Sequence, residues 1–463
     1  MIWVGTDDGN VQVTTDGGKS WANVTANIAV PKGLWISHVE PSHFDKNVCY
    51  LTIDGHRSGD KKPYVFKTTD LGRTWLPLNT EGVDAYALCI REDLQNKELL
   101  FLGTEFGLFI SIDEGKSWKR FTNSLPKTGI PHMVIHPKEH DLVIASHGRG
   151  IFILDDITPL RSLTREIAEK DFHLFETKPK IYKLRRGSSG YDGAGNFAGE
   201  NPSSEIQIIY YQKKRHTFGD ITMELFDPSG KLIKNVPAGK SAGINVVQIP
   251  TILPMPKAAP TTNIEALGRG AFPPSLPEGT YSFKITKGKE VYTGKFDIKY
   301  ADDCPYPAAD RQLQQELSLK VYGMVEQLGY IFYQLKSTHE QADKIIKEPT
   351  MNKTLIKQVG DFARDAEKYK ASLTSLDGDF YVASSENLRE ELSRLYASIV
   401  GYPGKPSDTT IDRLKYFEGR LKEAQAKFDG YKVQMDKINE SLKKAAVPAA
   451  LKIKTLTEFK EDK

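Results

Sequence analysis

Carboxylates, imidazoles and guanidinium groups gather in four short loops of the first 157 residues, each between two strand-like runs. The loops are Asp7-Asp8-Gly9, Asp54-Gly55-His56-Arg57-Ser58-Gly59-Asp60, Glu105-Phe106 and His147-Gly148-Arg149. Asp54, Asp60 and Glu105 are the candidate catalytic groups, as carboxyls able to act as general acid or base. Two of them would cleave a glycoside if held about 5–5.5 Å apart for retention, or about 6.5–9.5 Å for inversion. His56, Arg57, His147 and Arg149 are the candidate ligand-binding groups, with imidazole and guanidinium donors suited to sugar or peptide oxygens. The His147-Gly148-Arg149-Gly150 run stands out, because two glycines flank the arginine and permit close backbone approach. Plainer readings compete with each. Asp7 and Asp8 beside glycine are ordinary hairpin residues, and Arg57 and Asp60 could be solvated or paired with each other.

Other chemistries lack their residues. His38, His43, His132, His136 and His140 do not fall at helical metal-ligand spacing, so no metal site is expected. Gly268-Arg269-Gly270 has no strand–helix context for a dinucleotide, and no cofactor is implied. Cys49, Cys89 and Cys304 form no CxxC pair and read as free thiols. The 63 basic and 60 acidic residues nearly cancel, which provides no basic stripe for nucleic acid. No apolar run approaches the roughly 20 residues of a membrane span. The N-terminal MIWVGTDDG is not a signal peptide.

A repeat positions the loops. TTDGGKSW (14–21), TTDLGRTW (68–75) and SIDEGKSW (111–118) share Ser/Thr-x-Asp-x-Gly-x-Ser/Thr-Trp. GIFILDD (150–156) aligns with GLFISID (107–113), but Ile157-Thr158-Pro159 then replaces the rest of the motif. Intervals of 54, 43 and 43 residues between Asp16, Asp70, Asp113 and Asp156 match one four-stranded sheet per repeat. Asp16, Asp70 and Asp113 are expected to accept backbone N–H bonds within a tight turn. Gly18, Gly72 and Gly115 are expected to take positive φ there. Trp21, Trp75 and Trp118 are expected to bury a ring between sheets. A residue repeated in every sheet for turn geometry is structural, not the unique acid of one site.

The octapeptide resembles the Asp-box, or BNR repeat, of sialidases, sortilin-type receptors and xyloglucanase-like glycoside hydrolases. The wider context resembles exported bacterial proteins described as BNR-repeat or sortilin-like glycosyl hydrolases, through IWVGTDDGNVQVTTDGGKSW (2–21), EPSHFD (40–45), LGTEFGLFISIDEGKSW (102–118) and ASHGRGIFILDD (145–156). GENPSSEIQIIYY (199–211) and LPEGTYSFKI (276–285) resemble the β-sandwich following such propellers. The resemblance implies a partial Asp-box β-propeller whose boxes join the third and fourth strands of each blade, away from the ligand face. It also implies export to the periplasm or the cell exterior. The loops between second and third strands then share the opposite, ligand-facing rim. Closed propellers hold about 4–8 blades, so the few present here are read as the C-terminal part of a longer chain with further N-terminal blades.

The full expectation is a multidomain chain, mainly β and then α. Residues 1–157 form the partial propeller and 158–170 a linker helix. Residues 171–303 form an Ig/fibronectin-like β-sandwich, with strands at 205–212, 221–227, 244–249, 280–286 and 291–300. Surface loops are expected at 186–204 and 250–277. Residues 304–463 form a helical bundle or coiled-coil hairpin, with helices at 312–336, 338–347, 350–375, 385–400 and 408–445. These helices are a possible oligomerisation surface. A non-catalytic protein binding a glycan or peptide is the first functional expectation, and a glycoside hydrolase the alternative.

Overall fold

The computed structural model describes residues 1–184, 205–262, 273–376 and 387–461. It divides into two compact units. One comprises Met1–Glu176, Ile208–Gly219 and Gly239–Val246; the other comprises Thr177–Gln207, Asp220–Ala238 and Val247–Lys463.

In the first unit four antiparallel sheets follow one another. The first holds β1 (Ile2–Gly5), β2 (Val11–Thr14) and β3 (Ala22–Asn23). The second holds β4 (Trp35–Pro41), β5 (Cys49–Asp54), β6 (Tyr64–Thr68) and β7 (Leu76–Pro77). The third holds β8 (Ala87–Glu92), β9 (Leu100–Thr104), β10 (Gly107–Ser111) and β11 (Lys119–Phe121), and the fourth β12 (His132–Ile135), β13 (Leu142–Ala145) and β14 (Ile151–Leu154). Every strand pairs with its sequence neighbour, because the short Gly/Asp loops allow nothing longer.

Three apolar layers lie between the four sheets. Val11, Val13, Leu51, Ile53 and Trp75 fill the first layer. Tyr50, Val65, Ile90, Leu102 and Trp118 fill the second, and Cys89, Phe101, Leu108, Met133 and Ile144 the third. Inner sheets are therefore covered on both faces, and β5, β9 and β10 are buried along their whole length. This explains their continuous apolar runs, where a half-buried strand would alternate.

The octapeptide turns repeat one hydrogen-bond pattern. In the third, Asp113 Oδ1 accepts the Ser111 hydroxyl (2.8 Å) and the Ser117 N–H (2.9 Å), and Oδ2 accepts the Ser117 hydroxyl (2.7 Å). Asp16 and Asp70 make the same three bonds with Thr14 and Ser20, and with Thr68 and Thr74. Bonds from Ser20 and Thr74 hold the Asp16 and Asp70 carboxyls below the usual range. Gly18, Gly72 and Gly115 have φ of 97°, 82° and 82°. Trp75 and Trp118 are each 6% exposed, Trp75 edge-on to Trp3 at 6.0 Å and Trp118 donating its indole N–H to the Asn79 carbonyl at 2.8 Å. Trp21 departs from expectation: it is 43% exposed. Trp75 and Trp118 lie in the apolar layers that their sheets share with the preceding one, whereas Trp21, on the first of the four sheets, lies in no such layer.

After the fourth sheet the expected linker helix is two short ones, α1 (Thr158–Ser162) and α2 (Arg165–Glu169). Thr164 interrupts them by capping α2, its hydroxyl accepting the Ile167 N–H at 3.2 Å. Arg161 on α1 pairs with the buried Asp93 at 2.8 Å and fastens the helix to the third sheet.

The following strands are β15 (Phe172–Leu174), β16 (Lys180–Tyr182), β17 (Ile206–Gln212), β18 (Ile221–Phe226), β19 (Leu232–Pro237), β20 (Gly243–Ile249), β21 (Gly279–Lys287) and β22 (Glu290–Tyr300). A three-stranded sheet, β15-β17-β20, belongs mainly to the first unit. A five-stranded sheet, β16-β22-β21-β18-β19, belongs to the second. Burial alternates along β17, β18 and β21, the period-two pattern of strands covered on one face. Asp227 Oδ1 accepts the Ser229 and Lys231 N–H groups (2.8 and 2.9 Å), giving the expected turn between β18 and β19. The surface loop expected at 186–204 lies outside the described residues, as does the 263–272 part of the proline-rich one.

The rest of the second unit is helical: α3 (Ala308–Ile345), α4 (Lys353–Ala371), α5 (Leu388–Val400), α6 (Asp408–Lys444) and α7 (Leu456–Glu461). The two stretches expected at 312–336 and 338–347 are one helix. Thr338 returns its hydroxyl to the Gln334 carbonyl (2.8 Å), so it does not compete with the helical ladder. Asn352 and Ser407 cap α4 and α6 by accepting the Leu355 and Thr410 N–H groups. Val321, Leu328, Val359, Phe362, Leu392, Leu421 and Phe428 meet in one apolar core. No helix among the described residues is long and apolar enough to cross a membrane. Cys49 and Cys89 are free and buried, and Cys304 is free and half-buried.

Candidate functional site

Hairpin register separates the two sets of turns. β5 and β6 pair from Ile53–Tyr64 at one end to Cys49–Thr68, next to an octapeptide turn, at the other. The loops carrying Asp54, Glu105 and His147 therefore sit at the end away from the octapeptides. The connections entering β4 and β8 arrive at that same end, since Trp35 pairs with Asp54 and Ala87 with Thr104.

Asp54 closes β5 with a fully buried side chain. Its Oδ1 accepts the His56 backbone N–H at 2.8 Å, and its Oδ2 lies 2.6 Å from His56 Nδ1. A 3-10 turn over His56–Ser58 brings the imidazole back over the carboxylate, ended by Gly59 at φ 79°. Gly55 is required there, because a Cβ would lie 3.0 Å from Asp60 Cβ. The 38%-exposed imidazole stacks on Tyr86, with ring centres 4.8 Å apart and planes at 14°. Burial, then the neighbouring Glu105 carboxylate, pushes the Tyr86 phenol up to about 12. Glu105 Oε2 would lie 3.0 Å from a Cβ on Gly129, whose carbonyl accepts the His147 N–H at 2.8 Å.

The fold thus brings Asp54, His56, Glu105 and His147 into one neighbourhood, joined by Tyr86 and Gly129. Asp60 is held otherwise, accepting the Tyr64 hydroxyl (2.7 Å) and the Lys62 N–H (3.1 Å). Arg57 lies 4.9 Å over the Trp35 ring, so the two do not form the pair that their spacing allowed. Arg149 is exposed between Gly148 and Gly150, both at positive φ. Asp8 accepts the Thr6 hydroxyl and the Asn10 amide, the hairpin role expected of it.

Tyr86 and Gly129 are absent from the sequence-based candidates. They lie just before β8 and β12, on connections from one sheet to the next, and their only signal was an aromatic and a glycine at a strand entrance. Chemically, Asp54 orients the imidazole and leaves its Nε2 on the open edge to exchange hydrogen bonds. Both bonds to His56 occupy Asp54, so it positions the imidazole, while the Glu105 carboxylate sits beside the Tyr86 hydroxyl. Among the described residues no three His, Cys, Asp or Glu side chains are placed to hold a metal ion.

No family model matches the chain, and no curated protein matches it. Solved structures are similar to it at low identity. YCF48 bound to a D1 peptide is 12% identical over 63% of this chain and 77% of that one, with a TM-score of 0.25. The GH74 enzyme of Niastella koreensis is 13% identical over 64% of this chain and 51% of its own, with a TM-score of 0.28. The extracellular domain of BT4673 from B. thetaiotaomicron is 10% identical over 65% and 36%, at 0.23. These neighbours are β-propeller proteins. The match spans about half of the GH74 chain and about a third of BT4673.

Proposed function

We propose that the four N-terminal sheets are blades of an Asp-box propeller and that their rim binds a glycan without catalysis. The observation carrying this reading is the Asp54–His56–Tyr86–Glu105 arrangement. A pinned imidazole, a flat aromatic pair and a carboxylate present fixed hydrogen-bonding and stacking groups at little entropic cost on binding. Asp54 and Asp60 are both committed to neighbours within the protein, which favours recognition over the hydrolase alternative. That alternative needs a second free carboxyl facing Glu105. A peptide is the other ligand such a rim could take.

Further sheets of the same kind, in a longer exported protein, would complete the ring. Ile2 and Val4 on the first sheet, and Val134, Ile151 and Ile153 on the fourth, are exposed apolar side chains on outward faces. Inner sheets bury the equivalent faces. The two sheets within 171–303 are read as a β-sandwich spacer, and the helices as a possible oligomerisation surface.

Glycan and peptide arrays probed with the chain, and with His56→Ala and Glu105→Gln, test the rim. Glycan binding that falls about tenfold or more in both variants is expected from the loss of two ligand hydrogen bonds. Binding unchanged in both would sink the site. Turnover of a polysaccharide that Glu105→Gln abolishes would replace recognition with hydrolysis.

A further inference from the structure

The second unit contains a cavity of about 470 Å³, within the range of small-molecule sites. One end of the five-stranded sheet, the first turns of α3 and the loop after α5 enclose it. Its walls are the rings of Tyr182, Tyr300 and Tyr402, and its polar groups come from Gln314, Gln315 and Ser318. Among the described residues no charged side chain lines it.

Several of these groups are fixed in place and keep hydrogen-bonding capacity. Tyr182 donates its hydroxyl to the Leu276 carbonyl at 2.9 Å, and its ring meets Tyr300 edge-on at 5.3 Å. Tyr300 is steadied from its other side by Arg311, 5.1 Å from the ring centre. Gln315 uses its Oε1 to accept the Glu278 N–H (3.1 Å), so its amide N–H groups remain to donate. Gln314 is the reverse, donating to the Ile399 carbonyl (2.9 Å) and the Ser318 hydroxyl (3.2 Å), with Oε1 left to accept. Gly404 sets the Tyr402 ring: a Cβ there would lie 2.7 Å from Tyr402 Cε2 and 2.9 Å from Tyr306 Cδ1.

We propose that this cavity binds a neutral saccharide, at a site separate from the rim of the first unit. Flat tyrosine faces match the C–H faces of a pyranose ring, while carboxamides and hydroxyls offer both donors and acceptors to sugar hydroxyls. The lack of charge among the described lining residues disfavours phosphorylated, sulfated and uronic ligands, whose desolvated anions would meet no cation among them. The site does not depend on the rim's function.

Titration calorimetry of the whole chain with maltotriose, cellotriose and N,N′-diacetylchitobiose, and with sialyllactose and decaproline as contrasts, tests this. At least one neutral saccharide is expected to bind, with affinity falling about tenfold in Tyr402→Ala and in Gln315→Ala. Asp412→Ala, at an exposed helix position outside both sites, should leave that affinity unchanged. Gln315→Glu should weaken binding while far-ultraviolet circular dichroism and thermal midpoint hold, separating ligand loss from misfolding. No neutral binding, equal binding of sialyllactose, binding of decaproline alone, or retention in both Tyr402→Ala and Gln315→Ala would each overturn the proposal. So would a loss caused by His56→Ala alone.

Discussion

Asp54 Oδ2 and His56 Nδ1 are 2.6 Å apart, and the same carboxylate takes the His56 backbone N–H, so two residues in one loop lock each other. Asp54→Asn keeps the shape but replaces a charged acceptor with a weaker one. A loss of about 1–3 kcal/mol in denaturant stability is expected, together with a mobile His56 ring seen as averaged imidazole NMR signals. Equal stability and a single ordered ring would show that the lock contributes nothing.

Gly129 makes room for Glu105. Gly129→Ala places a methyl 3.0 Å from Glu105 Oε2 and 3.4 Å from His147 Cβ. Glu105 is at the end of a flexible side chain and can swing away. The thermal midpoint should therefore change little while array binding at the rim falls. A large loss of stability with binding intact would contradict this placement.

The octapeptide aspartates should differ in weight. Asp113 is 7% exposed and makes its three bonds in a buried turn. Asp113→Ala should cost about 2–4 kcal/mol, because Ser111 and Ser117 lose a charged acceptor away from water. Asp16→Ala sits in an exposed turn, and chemical denaturation should show a distinctly smaller effect.

Glycines in these turns are constrained by neighbours as well as by φ. A Cβ on Gly115 would meet Leu78 Cδ1 at 2.7 Å, and one on Gly72 would meet Val24 Cγ2 at 2.8 Å, whereas Gly148 faces open space. All three have positive φ. Gly72→Ala and Gly115→Ala should each destabilise by more than the roughly 1 kcal/mol expected of backbone strain alone, and Gly148→Ala by about that amount. Parity among the three in urea midpoints would refute the packing part of the argument.

Glu40 makes stability depend on pH. Burial raises its carboxyl to about 7, against the opposing pull of Arg91, whose guanidinium is 2.6 Å away. The folded state therefore keeps a proton that the unfolded chain releases near 4.5. Stability from this group is full below that value and is lost as pH rises towards 7. The loss is about 3 kcal/mol at most, from the relation of one pKa unit to 1.36 kcal/mol. Glu40→Gln has no such proton to lose. Its stability relative to the parent should improve between pH 4.5 and pH 7.5, and a flat difference across that window would exclude the effect.

The local patterns were legible in the chain. The octapeptide predicted its own turn, since Asp, Gly and Ser/Thr at fixed offsets satisfy one another's hydrogen bonds within eight residues. Alternation in 205–300 and the helical spacing after residue 308 placed strands and helices within a few positions, because each depends on near neighbours. That these loops share the end opposite the octapeptides followed from counting strands from the box position that the resemblance implies. Partnership did not. That Arg57 lies on Trp35 depends on strand pairing within the second sheet, and that Tyr86 and Gly129 join Asp54 and His56 depends on residues from different sheets. The exposure of Trp21, against the burial of Trp75 and Trp118, depends on which sheet lies behind each ring. The cavity beside α3 draws on segments more than two hundred residues apart. Short-range hydrogen bonding and periodicity act along the chain and are written in it; packing between distant segments is decided only when they meet.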